Sequence, residues 1–188
     1  DGPVTIVTID RPERRNAVDG ATAKKLYDAF LAFDADETAS VAVFTGAGGT
    51  FCAGADLKAV AAGDAEKKRE IAGHNTLAPM GPSRLRLSKP VIAAIEGHCH
   101  GGGCELALAA DLRIAGEGSS FSVPPARLGI VYPVSATQRM IDLMGPSVTK
   151  ELLFTARRID AARALAVPDA AERVCAAVET TLASESGG

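Results

Sequence analysis

Although 47% of the residues are apolar, no stretch of the sequence approaches the ~20 uninterrupted apolar residues that a membrane-spanning helix needs. The N-terminal stretch also lacks the basic-then-apolar pattern of a signal peptide. These absences predict a soluble, cytoplasmic protein with no membrane partner. A surplus of either charge is missing too. Twenty basic and 23 acidic side chains leave a formal charge of -3, which gives no electrostatic reason to expect nucleic acid as a partner. A nucleotide-sized ligand stays compatible with that balance. Cysteine is scarce: Cys52, Cys99, Cys104 and Cys175 are scattered among apolar neighbours and form no dense secreted-type framework, so reduced thiols are expected. No Pro/Gly/Ser-rich linker divides the 188 residues, and 1–188 reads as a single domain.

What is present is strand alternating with helix. Val4-Thr5-Ile6-Val7-Thr8-Ile9 is β-branched throughout and predicts a strand that ends at Arg11-Pro12. From Ala23 onward, Ala23, Leu26, Tyr27, Phe30 and Phe33 fall opposite Lys24, Lys25 and Asp28, as an amphipathic helix requires. Val41–Phe44, closed by Gly46-Ala47-Gly48-Gly49, and Val91–Ile95 suit strands buried on both faces. Between them, a polar segment from about Asp64 to Leu87 reads as helical, broken near Pro79 and Gly81-Pro82, with His74 on its surface. After Gly97 come His98-Cys99-His100, three glycines and an apolar helix over 104–110. A short strand at 112–114 precedes helices for which Gly145-Pro146 is a stop, Ser147 and Asp160 are N-caps and Pro168 opens the last. The pattern predicts an α/β domain.

The glycine run is where chemistry enters. Glycines between a buried strand and a buried helix let backbone approach a ligand, and the first turn of the helix presents unpaired N–H groups at a positive dipole end. Such a turn can hold an oxyanion, although glycines there also serve simply for a tight turn and close packing. Glu105 sits in that first turn of an otherwise apolar helix. It faces either water, as a dipole-stabilised surface carboxylate, or a pocket in which burial raises its pKa toward the range of a general acid/base. His98, Cys99, His100 and Cys104 carry zinc-type donors, but H-C-H-x3-C lacks the paired spacing of structural zinc motifs, and no metal is expected. Cys104 is a weaker candidate still as a nucleophile.

Phe51-Cys52-Ala53-Gly54-Ala55-Asp56-Leu57-Lys58, together with Lys89-Pro90-Val91-Ile92-Ala93-Ala94-Ile95-Glu96-Gly97 and the following Gly101-Gly102-Gly103-Cys104-Glu105-Leu106, resembles in order and spacing the two signature blocks of the crotonase (enoyl-CoA hydratase/isomerase) superfamily. Supporting matches run from Arg11-Pro12-Glu13-Arg14-Arg15-Asn16-Ala17 to Thr137-Gln138-Arg139 and Gly145-Pro146-Ser147. The resemblance implies a spiral of ββα units over about 1–130, a helical C-terminal part over about 135–188, and assembly as trimers or hexamers. It also implies that the backbone N–H groups of Ala55 and Gly102 form an oxyanion hole and that Glu105 is the acid/base. Ala53, Asp56, Leu57 and Lys58 would line the coenzyme A site, with Tyr132 close to the acyl group. Coenzyme A is then part of the substrate, and no other cofactor is implied.

Two departures reshape that expectation. Hydratases of the superfamily carry a second glutamate in a Pro-Glu pair ahead of Leu-Gly, whereas this sequence reads Pro124-Pro125-Ala126-Arg127-Leu128-Gly129, and Pro125 cannot transfer a proton. The glycine-rich stretch before Thr-Gln-Arg is replaced by Tyr132-Pro133-Val134-Ser135-Ala136, with Tyr132 and Ser135 as candidates to stand in for the lost carboxylate. Near Val167 and Pro168 the pattern implies that residues are absent. The expected function is an acyl-CoA lyase or isomerase of the enoyl-CoA hydratase type. The alternatives are a thioester hydrolase or decarboxylase on the same oxyanion hole, or a non-catalytic acyl-CoA-binding protein.

Overall fold

The structure, a computed structural model, describes residues 2–62 and 77–167. Val4–Ile9 forms β1 and Val41–Gly46 forms β2, paired in parallel. Parallel pairing demands a crossover, which α1 (Gly20–Ala35) supplies. The Asp19 side chain caps α1 by accepting from Thr22 N–H at 2.8 Å, and Ala23, Leu26, Phe30 and Phe33 form its buried stripe. β3 (Val91–Ile95) and β5 (Leu112–Ala115) extend the sheet in parallel, to the order β1-β2-β3-β5. A second sheet consists of β4 (His98–His100), β6 (Ser120–Ser122) and β7 (Ile159–Asp160), the last pair antiparallel. α3 (Gly102–Ala109) leaves the end of β4. Short helices α2 (Leu57–Ala61) and α4 (Pro125–Leu128), long α5 (Val134–Thr155) and short α6 (Ala161–Leu165) complete the described chain. The expected α/β class is what forms.

An aromatic chain ties the first helix to the site. Phe30 meets Phe44 edge-on at 5.2 Å between centroids, and Phe44 meets Phe51 at 5.3 Å, so the core runs from α1 across β2 into the loop that opens the first signature block. Asn16 anchors the same loop from the other side. Fully buried with φ 57, it accepts from Arg11 N–H and donates to the carbonyls of Ala47 and Thr50. Asparagine tolerates that left-handed conformation better than most residues, and its side chain satisfies main-chain groups that burial would otherwise leave unpaired.

Several expectations need correction. β2 and β3 are fully buried on one face only, through Ala42, Phe44, Val91, Ala93 and Ile95, while Val43 and Ala94 leave the other face partly covered. Residues 77–87 are not helical. Ala78 and Gly81 exchange main-chain hydrogen bonds in a tight turn, and Pro82–Arg84 forms a single 3-10 turn. Two prolines without N–H donors flank Gly81, whose φ of 84 belongs to glycine and whose missing Cβ lets the Ala23 carbonyl approach, so a helix cannot propagate there. Asp160 does cap α6, accepting from Arg163 N–H at 2.7 Å. Ser147 is not where the helix restarts: α5 is interrupted at Gly145 (φ 73, ψ 164), immediately before Pro146. The rest of the segment read as helical, including His74, and the Pro168 helix and Cys175 lie outside the described residues. No helix among the described residues is long and apolar enough to cross a membrane.

Candidate active site

The two signature blocks meet through their glycines. Cys52 pairs with Cys99 as a parallel bridge, with Cys52 N–H donating to the His98 carbonyl at 2.9 Å and His100 N–H donating back to the Cys52 carbonyl at 3.0 Å. This pairing carries Gly54-Ala55 alongside Gly101-Gly102. A Cβ at Gly54 would stand 2.9 Å from the His100 carbonyl oxygen and 3.2 Å from the Gly102 nitrogen, so only glycine permits the approach. Val18 N–H and Asp56 N–H tie this loop back to the 12–19 segment, at 2.8 and 2.9 Å. Among the described residues, neither Ala55 N–H nor Gly102 N–H has a main-chain acceptor. Gly102 is also the first residue of α3, where the N–H groups of a helix point outward unpaired.

Glu105 lies one turn further along α3. The Ser83 hydroxyl donates to Glu105 Oε1 at 2.6 Å. Burial pushes the Glu105 carboxyl above its ordinary value, and the Ser83 hydrogen bond and the nearby guanidiniums of Arg139 and Arg84 pull it partly back. Of the two readings of this glutamate, the structure favours the pocket: the residue is half-buried, and its carboxyl turns to the buried Ser83 hydroxyl. Tyr132 approaches from the far side and donates from its hydroxyl to the Gly101 carbonyl at 3.2 Å. Burial, followed by the Glu105 charge, raises the Tyr132 phenol strongly, which keeps its hydroxyl protonated as a hydrogen-bond donor. Pro125 is buried at the start of α4 and brings no proton-transfer group, while Ser135 is exposed on the first turn of α5.

The residues expected along the coenzyme A site fall on one short stretch. Ala53 is half-buried, and Ala55, Leu57 and Lys58 are exposed. Asp56 has structural duties: its carboxylate caps α2 by accepting from Lys58 N–H and Ala59 N–H, and it sits 3.3 Å from Arg11, which also pairs with Asp19 at 3.0 Å. His98 and His100 share one face of β4 with ring centroids 4.9 Å apart, and His100 Nε2 contacts Ser120 Oγ at 3.0 Å. Cys99 points the other way, into the core. The four zinc-type donors therefore do not gather round one point. Cys104 is buried and spends its thiol on the carbonyls of Cys99 and Ser122, which disposes of it as a nucleophile. Ser83 and Arg139 are the site residues that sequence reasoning missed. Arg139 lay inside a quoted motif without a role, and nothing local marks Ser83.

Residues 1–177 match the sequence model of the enoyl-CoA hydratase/isomerase family. The chain belongs to that family. Among curated relatives, this family member is 41% identical over 172 residues to the carnitinyl-CoA dehydratase of Citrobacter koseri, covering 87% of this chain and 62% of that protein. To that of Proteus mirabilis it is 43% identical over 166 residues, with the same coverage. The chain thus spans 62% of the length of the curated relatives it matches. Among solved structures, it superposes on an enoyl-CoA hydratase from Mycobacterium marinum with a TM-score of 0.80 at 34% identity, covering 100% of this chain and 74% of that one. The carnitinyl-CoA hydratase from Mycobacterium avium gives 0.79 at 36% identity, with the same coverage. The crotonase-type architecture expected from the two blocks is therefore the fold of this enoyl-CoA hydratase/isomerase family member.

Proposed function

We propose that the protein acts on acyl-CoA thioesters as an enoyl-CoA hydratase/isomerase-type enzyme. In this reading Ala55 N–H and Gly102 N–H receive the thioester carbonyl oxygen, and Glu105 moves the proton. The observation that carries it is the packing of Gly54 against the Gly102 nitrogen, with a desolvated carboxyl one helical turn away. Removing a proton beside a thioester, or adding water across its conjugated double bond, moves negative charge onto the carbonyl oxygen. Fixed backbone donors stabilise that charge by about 3–4 kcal/mol each. Ala53, Leu57 and Lys58 line the coenzyme A path, and Asp56 contributes through the helix it starts. Tyr132 closes the acyl end.

A single carboxylate suits double-bond migration, where the same group takes a proton from one carbon and returns it to another. Hydration and its reverse divide the work between two groups, and Pro125 removes one. Crotonyl-CoA hydration is therefore expected to run about 10²–10⁴-fold below that of a two-glutamate enzyme, with Pro125→Glu recovering part of it. A panel of enoyl- and 3-hydroxyacyl-CoA thioesters that includes carnitinyl-CoA, followed by chromatography, mass and deuterium uptake from solvent, tests the reading. Release of free coenzyme A would point to a hydrolase, and tight binding without turnover to a carrier. Crotonyl-CoA hydration by the native protein at two-glutamate rates would remove the role given to Pro125.

We also propose assembly as a homotrimer or a pair of trimers. Val134 and Phe154 on α5, Leu165 on α6 and Val131 (94% exposed) ahead of α5 present large apolar side chains that subunit contact would cover. Light scattering at micromolar concentration should return three or six times the chain mass. A stable monomer would overturn the proposal.

A further inference from the structure

The Ser83 hydroxyl is buried against Glu105. Ser83 is only 2% exposed and sits in the Pro82–Arg84 turn, whose entry is fixed by Gly81 at φ 84. Its Oγ donates to Glu105 Oε1 at 2.6 Å, a length typical of a hydrogen bond to a charged oxygen. Its carbonyl is held in turn by Arg139 Nη1 at 3.0 Å, from α5. Ser83 therefore links three elements: its hydroxyl reaches the carboxylate carried by α3, and its carbonyl is held from α5.

We propose that Ser83 is a positioning residue for Glu105: it holds Oε1, Arg139 holds Ser83, and the other carboxylate oxygen is left as the one that exchanges protons with the substrate. The inference rests on Glu105 being the proton-transfer group of the proposed reaction. A carboxylate on a flexible stem in a site with one acid/base must present the same oxygen at removal and return of the proton, and a pinned Oε1 fixes which. The pin also sets the charge. The groups that act on Glu105 are Ser83 and Arg84 from the turn and Arg139 from α5, and its own charge acts on the Tyr132 hydroxyl. Of these, Ser83 acts most strongly in favouring the ionised carboxylate against burial. Without it, the carboxyl titrates at higher pH.

The test compares Ser83→Ala, Ser83→Thr, Ser83→Val and Glu105→Gln on whichever enoyl-CoA thioester the native protein turns over. Ser83→Ala should lower kcat about 10–100-fold while leaving KM within about threefold, because the lost bond is to the proton-transfer group and not to the ligand. The limb of the rate–pH profile governed by Glu105 should move about one pH unit higher. The direction is the same whether Glu105 acts as base, needing its ionised form above the pKa, or as acid, needing its neutral form below it. Ser83→Thr keeps the hydroxyl and should restore both readouts relative to Ser83→Val. A merely structural Ser83 would move thermal stability and KM instead, with an unshifted pH limb, and that result overturns the proposal. If Glu105→Gln retains full turnover, the reading of Glu105 fails. If Glu105→Gln is inactive and Ser83→Ala keeps both rate and profile, the role of Ser83 fails alone. Should Ser83→Ala lose coenzyme A thioester affinity through misfolding, the Thr/Val pair decides: equal kcat and equal pH limbs in the two would overturn the assignment.

Discussion

Replacing Glu105 with glutamine is expected to lower turnover about 10²–10⁴-fold while leaving affinity for a coenzyme A thioester nearly unchanged. Glutamine keeps the shape and an oxygen that can still accept from the Ser83 hydroxyl, so the 2.6 Å contact and the local packing survive. What disappears is the proton. The backbone donors at Ala55 and Gly102 are untouched by the change, and binding should therefore persist where turnover does not. The native rate–pH profile should show its Glu105 limb above the ordinary carboxylate range, since burial raises this carboxyl and its three favourable neighbours offset that only in part. Steady-state kinetics from acid to neutral pH, alongside thioester titrations, read both quantities. Full turnover by Glu105→Gln would leave the oxyanion donors as the only machinery.

Gly103→Ala and Gly102→Ala should part company sharply although they are neighbours. A Cβ at Gly103 would lie 2.2 Å from the Cys52 carbonyl oxygen and 3.0 Å from its carbon. Both atoms are main chain, and that oxygen already accepts from His100 N–H, so nothing can yield without opening the bridge between the two signature blocks. A loss of about 3 kcal/mol is expected, which for a domain of this size lowers Tm by about 6–12 °C. A Cβ at Gly102 meets instead the Met80 thioether, 2.4 Å away at sulfur. A flexible side chain can swing aside, so stability should fall by about 1 kcal/mol or less. The displaced thioether must then enter space beside the Gly102 N–H, and KM for the acyl-CoA should rise. Calorimetry with kinetics on the pair checks this. A Gly103→Ala protein as stable as the native one would mean that the two blocks are less tightly joined than the structure places them.

The parts legible in the sequence were those whose signal is local. β1 announces itself by six β-branched residues, α1 by its apolar stripe, and the Gly101–Gly103 run by the absence of side chains, which at Gly103 lets backbone meet backbone. Glu105 stood out because a carboxylate in an apolar helix needs a reason. The turn that delivers Ser83 is the break expected at Pro79 and Gly81-Pro82, but it lies in a stretch, 77–87, whose polarity and length suggest helix and which is not helical. Its real shape is set by packing against Ala23 of α1, which no window around residue 81 contains. Asp56 is expected at the coenzyme A site from its motif, and what the motif does not disclose is that its carboxylate caps α2 and pairs with Arg11. Burial of one face only on β2 and β3 depends on what the rest of the fold lays over them.

The junction of the two blocks has one further property. Cys52, Cys99 and Cys104 all lie within it, reduced and buried. Burial pushes the Cys52 thiol up to about 12 and the Cys99 thiol upward as well, so at neutral pH neither offers the thiolate that alkylating or oxidising agents attack. While the junction stays shut, these sulfurs are chemically silent. Their rate of labelling is therefore a clock for its opening: the fold carries, at the seam that packs Gly54 against Gly102, its own probe of how often that seam parts.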